Sequence, residues 1–278
     1  MSKVTWQEVA AGVFVRRHPE LELNCGLVVG DRRALVVDTR STMARGEELA
    51  AAVREVTHLE PVVVNTHAHY DHCFGNAAFR DSQIYAHAGA ADDLRATAEH
   101  QREQVMAHLL LTGRPELAEQ TQQTEIVVPF YLIDSDTEID LGGRTVHLLY
   151  GGRAHTDHDL AVAVPDAGVV FWGDLVEQGA DPAMEDAFPL EWAQTLGSLM
   201  DRPQVHGAQI AVPGHGEVVD ADFVLTQAEM LERLARTLEE ARRRGVRDLD
   251  ALAAECRGLG LQEATVRDAA MRVLEAAS

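Results

Sequence analysis

Cysteine is scarce in this sequence, and that scarcity bears on where the protein works. The 278 residues include three cysteines, Cys25, Cys73 and Cys256, which are odd in number and far apart. Such a set is poor material for the disulfide framework of a secreted domain. A chain of this length can bury a large core without covalent staples. The cysteine content therefore favours a reducing compartment and predicts a cytoplasmic protein.

Long apolar runs are also lacking. No stretch approaches the roughly 18 consecutive apolar residues that a membrane-spanning helix needs. The segment from Met1 to Glu8 reaches a charged residue before the apolar part of a signal peptide could form. We expect a soluble protein with no membrane partner.

Basic residues are few beside acidic ones. The chain has 24 lysines and arginines against 45 aspartates and glutamates, a formal net charge of -21. A nucleic acid backbone would be repelled by this surface, so we expect no nucleic acid partner. Solubility alone also explains the excess, which is compatible with a small-molecule substrate.

Metal-capable side chains are concentrated in one short stretch. The run Pro61-Val62-Val63-Val64 predicts a buried strand, and Asn65-Thr66-His67-Ala68-His69-Tyr70-Asp71-His72 follows it directly. Imidazoles and a carboxylate buried there without partners would carry a large desolvation cost. One or two divalent cations would satisfy all of them, so this segment, the His67–His72 motif, predicts a metal site.

Three later segments each place one further ligand-capable residue beside a strand end or a glycine turn. They are Gly151-Gly152-Arg153-Ala154-His155-Thr156, Val169-Val170-Phe171-Trp172-Gly173-Asp174 and Ile210-Ala211-Val212-Pro213-Gly214-His215-Gly216. Glycine beside a ligand lets the backbone turn sharply and approach an ion. Each segment alone is a weak signal, because a lone histidine after a strand is more often structural. Their order after the His67–His72 motif makes chance a poor explanation.

The hydrophobic pattern predicts strands, a helix, more strands and a helix again, and then a helical tail. Strands are predicted at Val4 to Val9, Val13 to Arg16, Leu23 to Val29, Ala34 to Asp38, Gln83 to Ala86, Thr137 to Leu141, Thr145 to Tyr150, Leu160 to Val164, Val169 to Trp172 and Gln209 to Val212. Helices are predicted at about Thr42 to Thr57, at Ala88 to Gln123 with a break at Gly113-Arg114-Pro115, at Pro189 to Met200, and after Asp220. This order indicates two sheets with helices outside.

The ordered set His-x-His-x-Asp-His, His, Asp, His resembles the metallo-β-lactamase superfamily, from the first strands to about Gly216. The resemblance implies an α+β fold, the four-layer αββα sandwich, here followed by C-terminal helices. The catalytic domain would span residues 1–219 with a helical insert at about 88–123, and residues 220–278 would form a helical extension packed on the same domain.

By position, the resemblance also implies the ligands of two metals. His67, His69 and His155 would hold the first metal, Asp71, His72 and His215 the second, and Asp174 would bridge both. Asp38, at the end of a predicted strand, matches an aspartate that supports the site from outside the ligands. Asp71 and Asp174 are the candidate catalytic carboxylates.

Nitrogen and oxygen ligands suit zinc, with iron or manganese possible from the same residues. Two Zn²⁺ ions sharing a hydroxide would attack a small ester, lactone, thioester or related substrate. Such a centre would carry a charge of about +1 and attract an anionic group on the substrate. We therefore expect a metal-dependent hydrolase, as a monomer or a homodimer.

Several departures from known branches narrow the substrate. Zinc β-lactamases of the best-known type have cysteine where this chain has Asp174, so β-lactam hydrolysis is expected only as a side activity. His69 argues against the flavodiiron branch, which has glutamate there, and the glutathione-binding residues of glyoxalase II have no clear match after His215. A mononuclear iron persulfide dioxygenase is the competing enzyme class.

Other polar residues keep more than one interpretation. Asp159 stands where many relatives have a second histidine, and it either supports a ligand or caps a turn. His158 is expected to be exposed, or to support a metal ligand without binding the metal itself. Cys73 is expected to be a small buried helix residue. His87, His100 and His108 lie on the helical insert, where they either reach the substrate or face solvent.

Overall fold

The strand predicted before the His67–His72 motif lies inside a sheet. β5 (Glu60–Val64) pairs in parallel with β4 (Arg33–Val37) on one side and with β6 (Gln83–His87) on the other. The structure, a computed structural model, describes residues 4–276, so Met1 to Lys3 of the N-terminal segment lie outside the described residues. It divides into two compact units, Met1–Leu149 and Tyr150–Ser278.

In the first unit, β5 belongs to a mixed sheet. Its other strands are β1 (Gln7–Ala10), β2 (Val13–His18), β3 (Leu23–Val29) and β7 (Tyr131–Ile133), in the order β1-β2-β3-β4-β5-β6-β7. The strands from β1 to β4 are antiparallel to their neighbours, and those from β4 to β7 are parallel. β8 (Thr137–Asp140) and β9 (Thr145–Tyr150) form an antiparallel hairpin. Parallel strands bring their carboxyl ends, and the residues that follow, to one edge.

Helices cover the sheet of the first unit. α1 (Met43–Val56) is capped by the Thr42 hydroxyl and buries Leu49 and Val53 in a core with residues of β3, β4 and β5. α2 (Tyr70–Cys73) lies within the motif and continues into a 3₁₀ helix, Phe74–Phe79. The predicted helical insert is α3 (Ala88–Leu111) and α4 (Pro115–Gln123), with the break where glycine and proline predicted it.

The described residues of the second unit form three strands, of which β11 and β12 carry Asp174 and His215, while His155 lies in the loop before β10. β10 (Leu160–Val164) pairs antiparallel with β11 (Val169–Glu177), and β11 pairs in parallel with β12 (Ile210–His215). Every residue of β10 and β11 is buried. A strand buried on both faces favours a continuous apolar sequence, which β10 and the first four residues of β11 have.

The helices of the second unit include the one predicted to end at Met200 and those of the helical tail predicted after Asp220. They are α5 (Trp192–Met200), α6 (Ala221–Arg243), α7 (Leu249–Glu255) and α8 (Glu263–Glu275). α6 buries its stripe of Leu231, Leu234, Leu238 and Ala241, and α8 buries Val266, Ala269, Ala270 and Val273. Among the helices of residues 4–276, none has the length and apolar character that a bilayer crossing requires.

Several elements differ from the sequence prediction. β1 begins at Gln7 and not at Val4, and β12 continues to His215, past the predicted end at Val212. β11 continues to Glu177, past the predicted end at Trp172, because Gly173 at φ +53° sits in a bulge that shifts the register without ending the pairing. α5 begins at Trp192 and not at Pro189. β7 was not predicted, since three residues are too short to show an alternating pattern.

Candidate metal centre

The His67–His72 motif folds as a tight turn at the carboxyl end of β5. The rings of His67 and His69 meet edge to face with centroids 4.6 Å apart, and the rings of His67 and His72 lie 4.2 Å apart. Nε2 of His72 is 3.7 Å from Oδ2 of Asp71. Ligand-capable atoms of His67 and His69 lie within 4.8 Å of one another, and so do those of Asp71 and His72. The first unit thus brings its four predicted ligands together.

Asp38 organises this turn from the end of β4. Its carboxylate accepts from Thr66 N and from Thr66 Oγ1, each at 2.8 Å, and lies 2.8 Å from Nδ1 of His72. Asp38 has φ +61°, a left-handed backbone that aspartate tolerates better than most residues. Because Nδ1 of His72 is engaged by Asp38, Nε2 is the atom that His72 presents toward Asp71.

A buried polar network behind the turn was not predicted. Asn65 and Asn76 bond each other through both side-chain amides, at 2.8 and 3.0 Å. Thr39 Oγ1 donates to Asn76 Oδ1 at 2.8 Å, and the backbone carbonyl of His72 accepts from Thr39 N at 2.8 Å. This network fixes the backbone that carries His72. The one sequence signal for it is the pair of asparagines, Asn65 and Asn76, on either side of the motif.

A close backbone contact between Gly75, just after the motif, and Gly46 of α1 also fixes the motif against this helix. A Cβ added to Gly75 would lie 1.9 Å from the carbonyl oxygen of Thr39, and one added to Gly46 would lie 2.4 Å from the carbonyl oxygen of Gly75. Only glycine permits this approach. Cys73 lies next to it as a buried thiol that contacts the carbonyl oxygens of Ala68 and His69 at 3.4 and 3.2 Å. Burial raises the pKa of the Cys73 thiol well above its usual value, so it stays protonated.

In the second unit, one carboxylate oxygen faces two histidines. Oδ2 of Asp174 lies 3.7 Å from Nε2 of His155 and 3.3 Å from Nε2 of His215. Asp174 is in β11 and His215 ends β12, so parallel pairing of these strands brings the two together. Asp174 and His155 are nearly fully buried, while 16% of the His215 side chain is exposed. The second unit thus brings together its three predicted ligands.

Glycine and tryptophan shape the surroundings of Asp174. A Cβ on Gly214 would lie 1.8 Å from Oδ1 of Asp174, so the residue before His215 must be glycine for this carboxylate to keep its place. The ring of His155 packs against Trp192, with centroids 5.6 Å apart. Trp192 is itself fixed by donation from Nε1 to the Leu175 carbonyl at 3.1 Å.

The segment after His155 is held by Asp159. Its carboxylate accepts from Thr156 N at 2.7 Å and from Thr156 Oγ1 at 2.8 Å, and Thr156 Oγ1 in turn accepts from His158 N at 3.1 Å. Asp159 is therefore a turn residue that also fixes the backbone beside His155. His158 is buried, and its Nδ1 lies 2.7 Å from Oδ1 of Asp157.

The histidines of the helical insert have separate surroundings. His87 caps α3 by accepting from Gly89 N at 3.1 Å. His100 is exposed on α3. His108 lines a cavity of about 250 Å³ in the first unit, which Tyr70 of the motif also lines.

Both clusters offer donors suited to a divalent metal. Imidazole nitrogens and carboxylate oxygens on buried, hydrogen-bonded supports are the ligands that zinc takes in proteins. Iron and manganese use the same donors. The residues present therefore fit a metal-dependent enzyme, and the chemistry of the donors alone does not select the metal.

Comparisons with known proteins agree with this geometry. Residues 19–215 match the family model described as the metallo-beta-lactamase superfamily. The chain is 25% identical to a metallo-beta-lactamase type 2 of Bacillus sp. (strain 170) and 26% identical to one of Bacillus cereus, in each case over 84% of this chain and about four-fifths of the relative.

Solved structures show the same fold. A metallo-beta-lactamase from Pontibacter korlensis superposes with a TM-score of 0.66 at 18% identity, covering 83% of this chain and 99% of that one. FIM-1 from Pseudomonas aeruginosa, in a mono-zinc form, gives 0.62 at 21% identity and covers 84% and 96%. These likenesses confirm the predicted αββα sandwich and, with the family match, the prediction of a metal-dependent hydrolase. The chain belongs to the metallo-β-lactamase superfamily.

Proposed function

We propose that this chain is a dinuclear zinc hydrolase acting on a small ester, lactone, thioester or related substrate. In the proposal, His67, His69 and His155 bind the first ion, Asp71, His72 and His215 bind the second, and Asp174 bridges the two. The catalytic domain is residues 1–219, with residues 220–278 as its helical extension.

The observation that carries the proposal is the placement of Asp174 Oδ2 near both His155 and His215. Each histidine belongs to a different ion in the proposed set, and a carboxylate oxygen near both has the position that a bridging ligand needs. In the first unit, the pairs His67 with His69 and Asp71 with His72 divide between the two ions in the same way. When bound by these residues, two divalent cations would supply a water activated at neutral pH and a Lewis acid for the substrate carbonyl.

The protein's own residues supply orientation. Asp38 fixes His72 through Nδ1, Thr66 Oγ1 lies 3.0 Å from Nδ1 of His67, and Asp159 fixes the turn after His155. Asp71 lies beside His72, where its carboxylate can orient the attacking water. Rigid supports of this kind keep ligands within the small tolerance that metal catalysis needs.

Asp174 is the residue that bears on the choice of substrate. Zinc β-lactamases of the best-known type have cysteine where Asp174 stands, so we propose β-lactam hydrolysis as a side activity, although the relatives named above are metallo-beta-lactamases. We also propose a cytoplasmic location, which the three unpaired and buried thiols favour.

Metal analysis and a hydrolysis screen on one sample test the proposal. The full chain, purified with zinc present, is expected to hold about two zinc ions per chain and to hydrolyse members of a panel of lactones, thioesters, phosphodiesters and β-lactams. One iron per chain, with turnover of a persulfide and none of the panel, would instead support the dioxygenase alternative. Zinc-free protein with full activity would contradict both.

A further inference from the structure

The strongest unexplained feature of the first unit is the cavity of about 250 Å³ between the motif and the helical insert. Tyr70, which stands between the ligand candidates His69 and Asp71, forms part of its wall. α3 and α4 supply most of the remainder. A cavity with one wall residue next in sequence to two candidate ligands is a candidate for holding the part of a substrate that does not react.

Part of the cavity lining is aliphatic. It consists of Leu21, Val105, Leu109 and Leu117. The volume is at the lower end for ligand pockets, so it suits a short chain and not a large ring system. Desolvating a hydrocarbon chain against these side chains would favour binding, and each buried methylene group would tighten it by roughly fourfold.

Another part of the lining is positively charged and polar. It contains Arg45, Arg114, Ser41 and the phenol of Tyr70, with Glu20 as its carboxylate. Glu20 is already shared, because Oε1 pairs with Arg45 at 3.0 Å and Oε2 pairs with Arg40 at 3.2 Å. Arg114 makes no ion pair with any residue between 4 and 276, and its Nε donates to Thr112 Oγ1 at 3.1 Å. The wall therefore carries an excess positive charge within a chain of net charge -21.

The electrostatics of the wall favour an added anion. Burial lowers the pKa of Arg45, Glu20 opposes that effect, and the charges of Arg40 and Arg114 lower the pKa further. The phenol of Tyr70 lies in the same wall, where its hydroxyl can donate a hydrogen bond. Arg45 is engaged by Glu20 and Ser41, which leaves Arg114 as the guanidinium open to a new partner. A guanidinium group without an ion-pair partner can form a bidentate, charge-assisted pair with one carboxylate.

We infer that this cavity binds an aliphatic chain ending in a carboxylate, with Arg114 as its partner. The substrate class that follows from this binding rests on the proposed function. The substrate would be a monoester or monothioester of an aliphatic dicarboxylic acid, or a lactone bearing a carboxylate chain. Its carboxylate lies at Arg114 and its methylene groups against the leucines, with the scissile carbonyl beyond Tyr70 at the metal site.

Direct binding tests the cavity without any catalysis. Calorimetry on the full chain, both zinc-loaded and stripped of metal, would use alkanoates from butanoate to decanoate, hexanol and hexyl phosphate as probes. We expect a medium-length alkanoate to bind both forms, with hexanol weaker by about tenfold and hexyl phosphate no tighter than hexanoate. Tighter binding of the dianion or equal binding of the alcohol would overturn the choice of a carboxylate.

Two variant pairs locate the binding site. Arg114→Gln is expected to weaken hexanoate by about tenfold, while Arg95→Gln, an exposed arginine of α3 paired with Asp92, leaves it unchanged. Val105→Phe narrows the cavity and abolishes binding, whereas Leu110→Phe, on the exposed face of α3, does not. Circular dichroism shows whether Val105→Phe folds. If this variant does not fold, the comparison of Arg114→Gln with Arg95→Gln decides whether hexanoate binds in the cavity.

Hydrolysis then separates the two proposals. Monoethyl adipate is expected to be a better substrate than diethyl adipate in kcat/KM, and Arg114→Gln removes the preference through KM. Hexanoate binding that depends on Arg114, in a chain that hydrolyses nothing, would refute the proposed function and leave the cavity assignment standing. Hydrolysis with no carboxylate preference and no hexanoate binding would refute the cavity assignment alone.

Discussion

Nδ1 of His72 lies 2.8 Å from Oδ2 of Asp38, and both side chains are almost entirely buried. The same carboxylate accepts two hydrogen bonds from Thr66, which precedes His67. One aspartate outside the ligand set therefore orients residues on both sides of the motif. Replacing the Asp38 carboxylate with a neutral amide tests whether its contacts with Thr66 and His72 contribute to metal binding.

We expect Asp38→Asn to lower zinc affinity by roughly ten- to hundredfold, because an amide NH₂ cannot accept from Thr66 or His72. Asparagine tolerates the left-handed backbone at this position, so the fold should persist. Competition with a chromophoric chelator measures the affinity of both ions.

The control for this variant is Asp140→Asn, an exposed carboxylate paired with Arg32. It removes the same charge far from the motif and should leave zinc affinity unchanged. Equal affinities for Asp38→Asn and wild type would show that the Asp38 contact has no part in metal binding.

Gly214→Ala should displace Asp174, because the new Cβ would lie 1.8 Å from Oδ1 of that carboxylate. We expect loss of zinc and of hydrolysis, with a lower Tm. Gly197→Ala in α5 is the matched control, since nothing lies within 4 Å of its added Cβ. Alanine in a helix is favoured over glycine by up to about 1 kcal/mol, so this control should be neutral or slightly more stable.

His18 makes stability depend on pH. Burial, and then the charges of Arg40, Arg16 and Arg45, lower its pKa from 6.5 to about 2. Below about pH 6.5, His18 binds a proton in the unfolded chain but stays neutral in the folded chain. Its contribution to the free energy of unfolding is therefore complete above that pH. It is lost on acidification by about 1.4 kcal/mol per pH unit.

Urea unfolding of wild type and His18→Gln at pH 7 and at pH 5 isolates this contribution. We expect the free energy of unfolding of the variant to fall less between the two pH values, by about 2 kcal/mol. Parallel losses in the two proteins would mean that His18 is protonated in the folded state.

Asp159→Ala distinguishes the two roles that the sequence left open for Asp159. Loss of two buried hydrogen bonds to Thr156 should lower the free energy of unfolding by about 1 to 3 kcal/mol. We also expect weaker zinc binding, because the same turn carries His155. A variant that is less stable but binds zinc as wild type does would show that Asp159 only caps the turn.

The sequence predicted the elements that carry the site because local patterns determine them. The valines of β5, the glycine and proline between α3 and α4, and the leucine stripe of α6 are all short-range signals. The candidate ligands were found for the same reason, since each follows a strand or a glycine turn in the sequence.

What the sequence did not predict depends on contacts between distant residues. The bonds that join Thr39 and Asn65 to Asn76 span up to 37 residues and leave no periodic pattern. The need for glycine at position 214 comes from Asp174, in a neighbouring strand. The cavity walls come from separate segments, so neither Arg114 nor Leu21 could be assigned to it in advance.

A crystal of the full chain grown with zinc tests the central claim most directly, through an anomalous difference map at the zinc absorption edge. We predict two peaks, one bound by His67, His69 and His155 and the other by Asp71, His72 and His215, with Asp174 touching both. No peak, or zinc held by residues outside this set of seven, would contradict the account.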